Sequence, residues 1–141
     1  MMTRIFFIAS AFLMTSAAAI RADQTIEIFQ DYVNFSTYNA GIIRPDQLTQ
    51  EIVDSVVFID TRSTEEFGLL TIPGAMNIEW REIFNEISRI PTTKKVVLFC
   101  NTGALSAQAT FGLRTLGYEN VLVLAGGFNH FLDSPNYRDM N

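Results

Sequence analysis

Val96-Val97-Leu98-Phe99-Cys100-Asn101-Thr102-Gly103-Ala104-Leu105-Ser106 carries the strongest structural signal in the chain. Its first four residues are all apolar, the pattern of a strand buried on both faces. The chain's single cysteine stands where that strand ends; a short glycine-containing loop follows, and a helix is predicted after it. In open α/β sheets ligands bind at the carboxyl ends of strands. A thiol placed there, just before a helix N-terminus, faces backbone N–H groups and the positive end of the helix dipole, which favours thiolate over thiol. The stretch reads as a nucleophilic cysteine in a cradle of amides suited to an anion.

Outward from this strand, apolar runs alternate with helical signals. Gly41-Ile42-Ile43 predicts a short first strand. Arg44-Pro45-Asp46-Gln47 opens a helix with Pro45 at its first position and Leu48, Ile52 and Val53 on its apolar face. Val56-Val57-Phe58-Ile59 predicts a second buried strand ending at Asp60, after which Ser63 or Thr64 caps a short helix through Phe67. Pro73-Gly74 is a turn and Ala75-Met76-Asn77-Ile78 a short strand. Trp80, Ile83, Phe84 and Ile87 fall at helical spacing, a core stripe that Pro91 ends. Beyond Cys100, the predicted helix carries Leu105, Ala109, Leu113 and Leu116 on one face and stops at Gly117. Val121-Leu122-Val123-Leu124 is a further apolar strand, Ala125-Gly126-Gly127 a sharp turn, Phe128 to Leu132 a last helical turn, and 134–141 a polar tail. The expected fold is α/β: a small, mainly parallel sheet with helices on both faces.

A chain of 141 residues, nearly half of them apolar, supports one domain with a real core, expected over residues 41–133. Residues 1–22 have the pattern of a cleaved secretory signal peptide: a positive start at Arg4, an apolar run from Ile5 to Leu13, and a small-residue end at Ala17-Ala18-Ala19 or Ala22. The expected setting is periplasmic or secreted, with no membrane attachment after cleavage. Residues 23–40 show no clean period and are expected to form an N-terminal extension packed on the domain. Cleavage removes Arg4 and Arg21 and no acid, leaving a chain two units more negative than its formal −5. Such an acidic chain without a basic run argues against nucleic acid as a partner. A lone cysteine forms no intrachain disulfide, and an unpaired thiol in an exported protein points to chemistry or to intermolecular pairing; the alternative is a buried structural cysteine.

Three groups of residues together resemble the single-domain rhodaneses, sulfurtransferases that carry sulfur as a cysteine persulfide. The first group is Asp60-Thr61-Arg62 with Glu66-Phe67 and Ile72-Pro73-Gly74-Ala75-Met76-Asn77-Ile78. The second is the Cys100 loop with Ser106, and the third is Leu116-Gly117-Tyr118 leading to Ala125-Gly126-Gly127-Phe128. With the export signal, the chain looks like the small periplasmic members. The resemblance implies transfer of a sulfane sulfur from a small-molecule donor to Cys100, then to cyanide, a thiol or a protein acceptor, with no cofactor and no metal. The chain departs from the family pattern in two places. The loop lacks the arginine that many members use to hold thiosulfate, so weak saturation by that donor is expected. Leu70-Thr71-Ile72 also stands where Gly-His-Ile is usual, a change expected to touch packing.

Around Cys100, the substrate loop is Asn101, Thr102, Gly103, Ala104, Leu105 and Ser106. Gly103 relieves the tight curl. Asn101 and Thr102 either offer side-chain donors to a substrate or are ordinary loop residues, and Ser106 either caps the helix, the favoured reading, or lines the site. Asp60 is open to acid–base or structural roles, with the resemblance favouring structure. Arg62 and Glu66, four apart, are placed to pair across a helical turn; Arg62, one of few cations near this edge, is alternatively placed to attract an anion, with the structural role favoured. His130, the only histidine, would be needed for a Cys–His hydrolase, for which no third orienting group is identifiable. Three functions compete: sulfurtransferase, non-turnover persulfide carrier or protein-binding module, and a phosphatase or arsenate reductase. The last is disfavoured because no arginine closes the loop on an oxyanion.

Overall fold

The computed structural model describes residues 20–139. Most of the predicted signal segment lies outside the described residues. Residues 20–35 form helix α1, in a unit that ends at Ser36. The stretch without a clean period is therefore largely helical. Its apolar residues Ile26, Val33 and Phe35 are exposed rather than gathered into a buried stripe, which explains why periodicity did not reveal it. Among the described residues no helix is long and apolar enough to cross a membrane.

The second unit, which begins at Thr37, is built on a five-stranded sheet. The strands are β1 (Ile42–Ile43), β2 (Val57–Asp60), β3 (Met76–Asn77), β4 (Val96–Phe99) and β5 (Val121–Leu124), in the order β1-β5-β4-β2-β3 with every neighbouring pair parallel. Between and after them run α2 (Gln50–Ser55), α3 (Thr64–Leu69), α4 (Ala104–Thr115), α5 (Gly127–Leu132) and α6 (Pro135–Asp139). The α/β reading with a parallel sheet holds.

Alternation along β4 shows why its apolar run is continuous. Val97 and Phe99 join a core with Phe58, Leu124, Phe128 and Phe131, whereas Val96 and Leu98 join a second core with Ile59, Ile83, Ala109, Leu113 and Val121. Successive side chains point to opposite faces, so a central strand covered on both sides must be apolar at every position. Pairing of Asp60 with Phe99 brings the ends of β2 and β4 to the same carboxyl edge.

Several local expectations change. The helix predicted from Pro45 is broken into a 3₁₀ turn, Pro45–Gln47, and α2, whose cap is the Thr49 hydroxyl accepting from the Ile52 amide. Trp80 to Glu86 form consecutive turns ending in a 3₁₀ turn, Ile87–Arg89, rather than one helix. Their bonds mix i−3 and i−4 spacing, as in Glu82 to Glu79 and Glu86 to Glu82. Ile83 enters the core while Phe84 is half exposed. The β-branched Ile83 and Ile87 add little helix propensity to hold a regular turn against that packing. The buried side of α4 is Ser106, Ala109, Thr110 and Leu113; Leu105 and Leu116 face outward. Gly117, at φ +93°, closes α4 as expected: its amide bonds Arg114 O while the Tyr118 amide bonds Leu113 O. The polar tail opens as helix α6, with Tyr137 edge-on to Phe131 and the Asn136 amide donating to Pro45 O.

Candidate active site

Cys100 follows β4 directly and is 4% exposed. The chain then turns through Gly103, whose φ of +87° favours glycine, into the N-terminus of α4. This wraps the loop around the sulfur. Burial pushes the thiol pKa up. Hydrogen bonds from the Ser106 hydroxyl and from the amides of Ser106, Leu105 and Thr102 outweigh that effect and hold it below the ordinary thiol value. The Ser106 hydroxyl lies 3.5 Å from Cys100 Sγ and 3.1 Å from Gly103 O. Ser106 does not cap α4. The cap position is Gly103, and Ser106, one turn inside, aims its hydroxyl at the sulfur.

The back of the loop is fixed by α5. Its amides at Phe128 and Asn129 donate to Cys100 O and Asn101 O, at 2.8 and 3.0 Å. Gly127 makes this approach feasible: a Cβ there would meet Cys100 O, the Gly103 amide nitrogen and Asn101 C at contact distances no side chain tolerates. The Ala125-Gly126-Gly127 turn thus buttresses the Cys100 loop, a role that reading it only as a sharp turn misses.

On the other side stands a polar network from β2. Asp60 is fully buried; its carboxylate accepts from the Arg62 amide, from Arg62 Nε and Nη2, and from the Thr71 hydroxyl. Arg62 also donates to Leu70 O at 2.6 Å and to Asn101 Oδ1 at 3.3 Å, with its guanidinium 4.4 Å from the Phe128 ring centroid. Asn101 in turn donates to Glu66 Oε1 at 2.6 Å. That bond and those from Ser63 hold the Glu66 carboxyl below its usual pKa. Arg62 therefore pairs with Asp60, not Glu66, because the Asp60 carboxylate presents both oxygens to the Arg62 side chain within the same turn of chain. Asn101 spends its side chain linking the two acids' networks. Thr71, where the family pattern departs, bonds Asp60 and so belongs to this network as well as to the packing.

A cleft of about 350 Å³ opens over Cys100. Of the expected residues it is lined by Cys100, Asn101, Thr102, Leu105, Arg62 and Glu66; Asp60, Gly103 and Ser106 support it from outside the lining, and Ala104 is an exposed residue opening α4 that does not line it. The sequence reading missed Thr61, Ser63, Glu79, Trp80 and Arg81 in the same wall. Trp80, expected in the core, arrives there because the Ile78 and Trp80 amides bond Asp60 O and Thr61 O, extending β3's path along the end of β2. His130 lines a separate hollow with Arg44, Asp46 and Asp133, so it supplies no base to Cys100.

The chain is similar to a sulfurtransferase of Allochromatium vinosum, 36% identical over 87 residues, covering 60% of this chain and 81% of that one. It is also similar to a tRNA uridine(34) hydroxylase of Legionella pneumophila, 31% identical over 106 residues, covering 70% of this chain but 42% of the other. The chain thus spans less than half of that hydroxylase. Among solved structures, the human single-domain sulfurtransferase TSTD1 superposes with a TM-score of 0.56 at 28% identity, over 67% of this chain and 97% of that one. A rhodanese-related protein of Thermoplasma volcanium does so at 0.61 and 25%, over 65% and 90%. The family model described as Rhodanese-like domain matches residues 44–134, which include β2, β4, the Cys100 loop and the α5 buttress. With that match over more than half of its length, the chain belongs to the rhodanese-like domain family.

Proposed function

We propose that the protein is a sulfurtransferase that carries a sulfane sulfur as a persulfide on Cys100. The observation that carries this reading is the sulfur's position among the Ser106 hydroxyl and the Thr102, Leu105 and Ser106 amides, which favours the thiolate. With thiosulfate as donor, the Cys100 thiolate attacks the outer, sulfane sulfur. The S–S bond of the donor breaks and sulfite leaves with the electron pair. The same amides suit the negative terminal sulfur of the resulting persulfide. A cyanide or thiolate acceptor then attacks that terminal sulfur, the Cys–S bond to it breaks, and the thiolate is returned as thiocyanate or an acceptor persulfide departs. Every step is a displacement at sulfur, so no added oxidant or reductant is needed. The signal pattern in residues 1–22 supports a periplasmic or secreted setting.

The uncharged loop favours a second reading, a persulfide carrier that exchanges sulfur with a protein partner without multiple turnover. Intact mass after incubation with thiosulfate or an organic persulfide separates the readings. A gain of one sulfur, absent in Cys100→Ser and removed by cyanide with steady thiocyanate release, is the expected result. A stable gain with no thiocyanate release supports the carrier. No gain from either donor refutes persulfide chemistry at Cys100.

A further inference from the structure

We propose that Arg81 is the residue that grips the anionic end of a sulfonate-terminated donor such as thiosulfate, replacing the cation the Cys100 loop lacks. This inference rests on the sulfurtransferase reading. Among the described residues, two arginines line the cleft, Arg62 and Arg81. Arg62 is committed: its side chain is 7% exposed, and Nε, Nη1 and Nη2 are already donated to Asp60, Asn101 and Leu70 O. A donor would have to break a buried pair to use it, at the cost of stranding Asp60.

Arg81 is placed differently. Its side chain is 70% exposed, one guanidinium nitrogen rests 2.8 Å from Glu79 Oε1, and the group lies 5.3 Å from the Trp80 ring centroid. The Arg81 amide also donates to Glu79 Oε2. The aromatic face and the acid together hold the guanidinium at the rim of the cleft that contains Cys100. Glu79 is only 26% exposed, but the Arg81 end of the pair lies in solvent, where an ion pair contributes little and the guanidinium is free to swing to another anion. The thiosulfate dianion offers the planar fork two oxygens in bidentate geometry, whereas Glu79 meets the guanidinium through Oε1 alone, its Oε2 accepting from the Arg81 amide. Glu79 thus competes with the donor for Arg81, and the donor's charge decides whether the exchange is favourable.

This arrangement predicts opposite effects from the two members of the pair. Steady-state transfer to cyanide is measured with thiosulfate and with 2-hydroxyethyl persulfide, whose body carries no charge. Arg81→Gln is expected to raise the thiosulfate KM about tenfold, the loss of one charge-assisted contact. It should lower the kcat/KM ratio of thiosulfate to persulfide by a similar factor. Glu79→Gln is expected to lower the thiosulfate KM, and Arg81→Lys to fall between wild type and Arg81→Gln. A merely structural role for the pair would move both variants in the same direction and both donors alike. Wild-type turnover with an unchanged thiosulfate KM in Arg81→Gln, or a raised KM in Glu79→Gln, overturns the assignment of Arg81 while leaving the sulfurtransferase reading intact. Absence of transfer from both donors in the wild type overturns that reading and this one with it.

Discussion

Replacing Ser106 by alanine tests whether the cradle activates Cys100. Ser106 is fully buried, and its hydroxyl stands 3.5 Å from Cys100 Sγ. A hydrogen bond to a charged group contributes about 1.5–3 kcal/mol, and the long reach to sulfur places this one near the bottom of that range. About 1.4 kcal/mol is tenfold in the thiolate population at a pH below the thiol's midpoint. A more basic thiolate is a stronger nucleophile, with a Brønsted slope of about 0.4–0.5, which returns about threefold. Alkylation by iodoacetamide should therefore slow about threefold in Ser106→Ala at low pH, speed up about threefold at high pH, and have its midpoint displaced upward. The measurement is the pH dependence of the alkylation rate, with thermal unfolding to show that the variant is folded. Superimposable wild-type and variant profiles in a folded protein would refute the argument, because the remaining amides alone would then set the thiol's acidity.

Two further predictions concern the supports of the loop. Gly127→Ala forces a Cβ against Cys100 O and the Gly103 amide at a φ of +64°, so stability should fall by at least about 2 kcal/mol in urea unfolding and the midpoint of Cys100 alkylation should move upward. An alanine variant with unchanged stability would show that α5 does not press on the loop. Asp60→Asn leaves the buried Arg62 guanidinium without its counter-charge and should cost about 3–5 kcal/mol in the same assay; a loss under about 1 kcal/mol would show that Leu70 O and the Phe128 ring suffice.

What sequence patterns revealed was set by burial. β2, β4 and β5 lie between two cores, so nearly every position is apolar and each strand stands out from its flanks. Cys100 and its loop were legible because strand, loop and helix are contiguous in the chain. α4 shows where that logic stops. Its buried positions are Ser106, Ala109, Thr110 and Leu113, at helical spacing but half of them hydroxyl-bearing, while the apolar Leu105 and Leu116 face out. A search for large apolar residues therefore chose a face offset from the true one. That offset also misplaced Ser106, because a serine counted as polar was assigned to the helix end instead of to the sulfur beneath it.

The cation was missed for a topological reason. The loop from Asn101 to Ser106 contains no basic residue, and a search confined to it ends there. The sheet places β3 beside β2, and β2 beside β4, so chain leaving β3 passes the same carboxyl edge as Cys100. The backbone bonds from Ile78 to Asp60 and from Trp80 to Thr61 carry it there, and Glu79, Trp80 and Arg81 follow into the cleft wall. In sequence Trp80 looked like the start of a helical core stripe, because it sits three and four residues before Ile83 and Phe84. The tertiary path spends Trp80 on the cleft and leaves only Ile83 of that stripe fully buried. A parallel sheet gathers every strand's following segment at one edge. In such a fold the search for a donor-binding charge belongs to all the segments that leave the sheet there, and here it leads to Arg81.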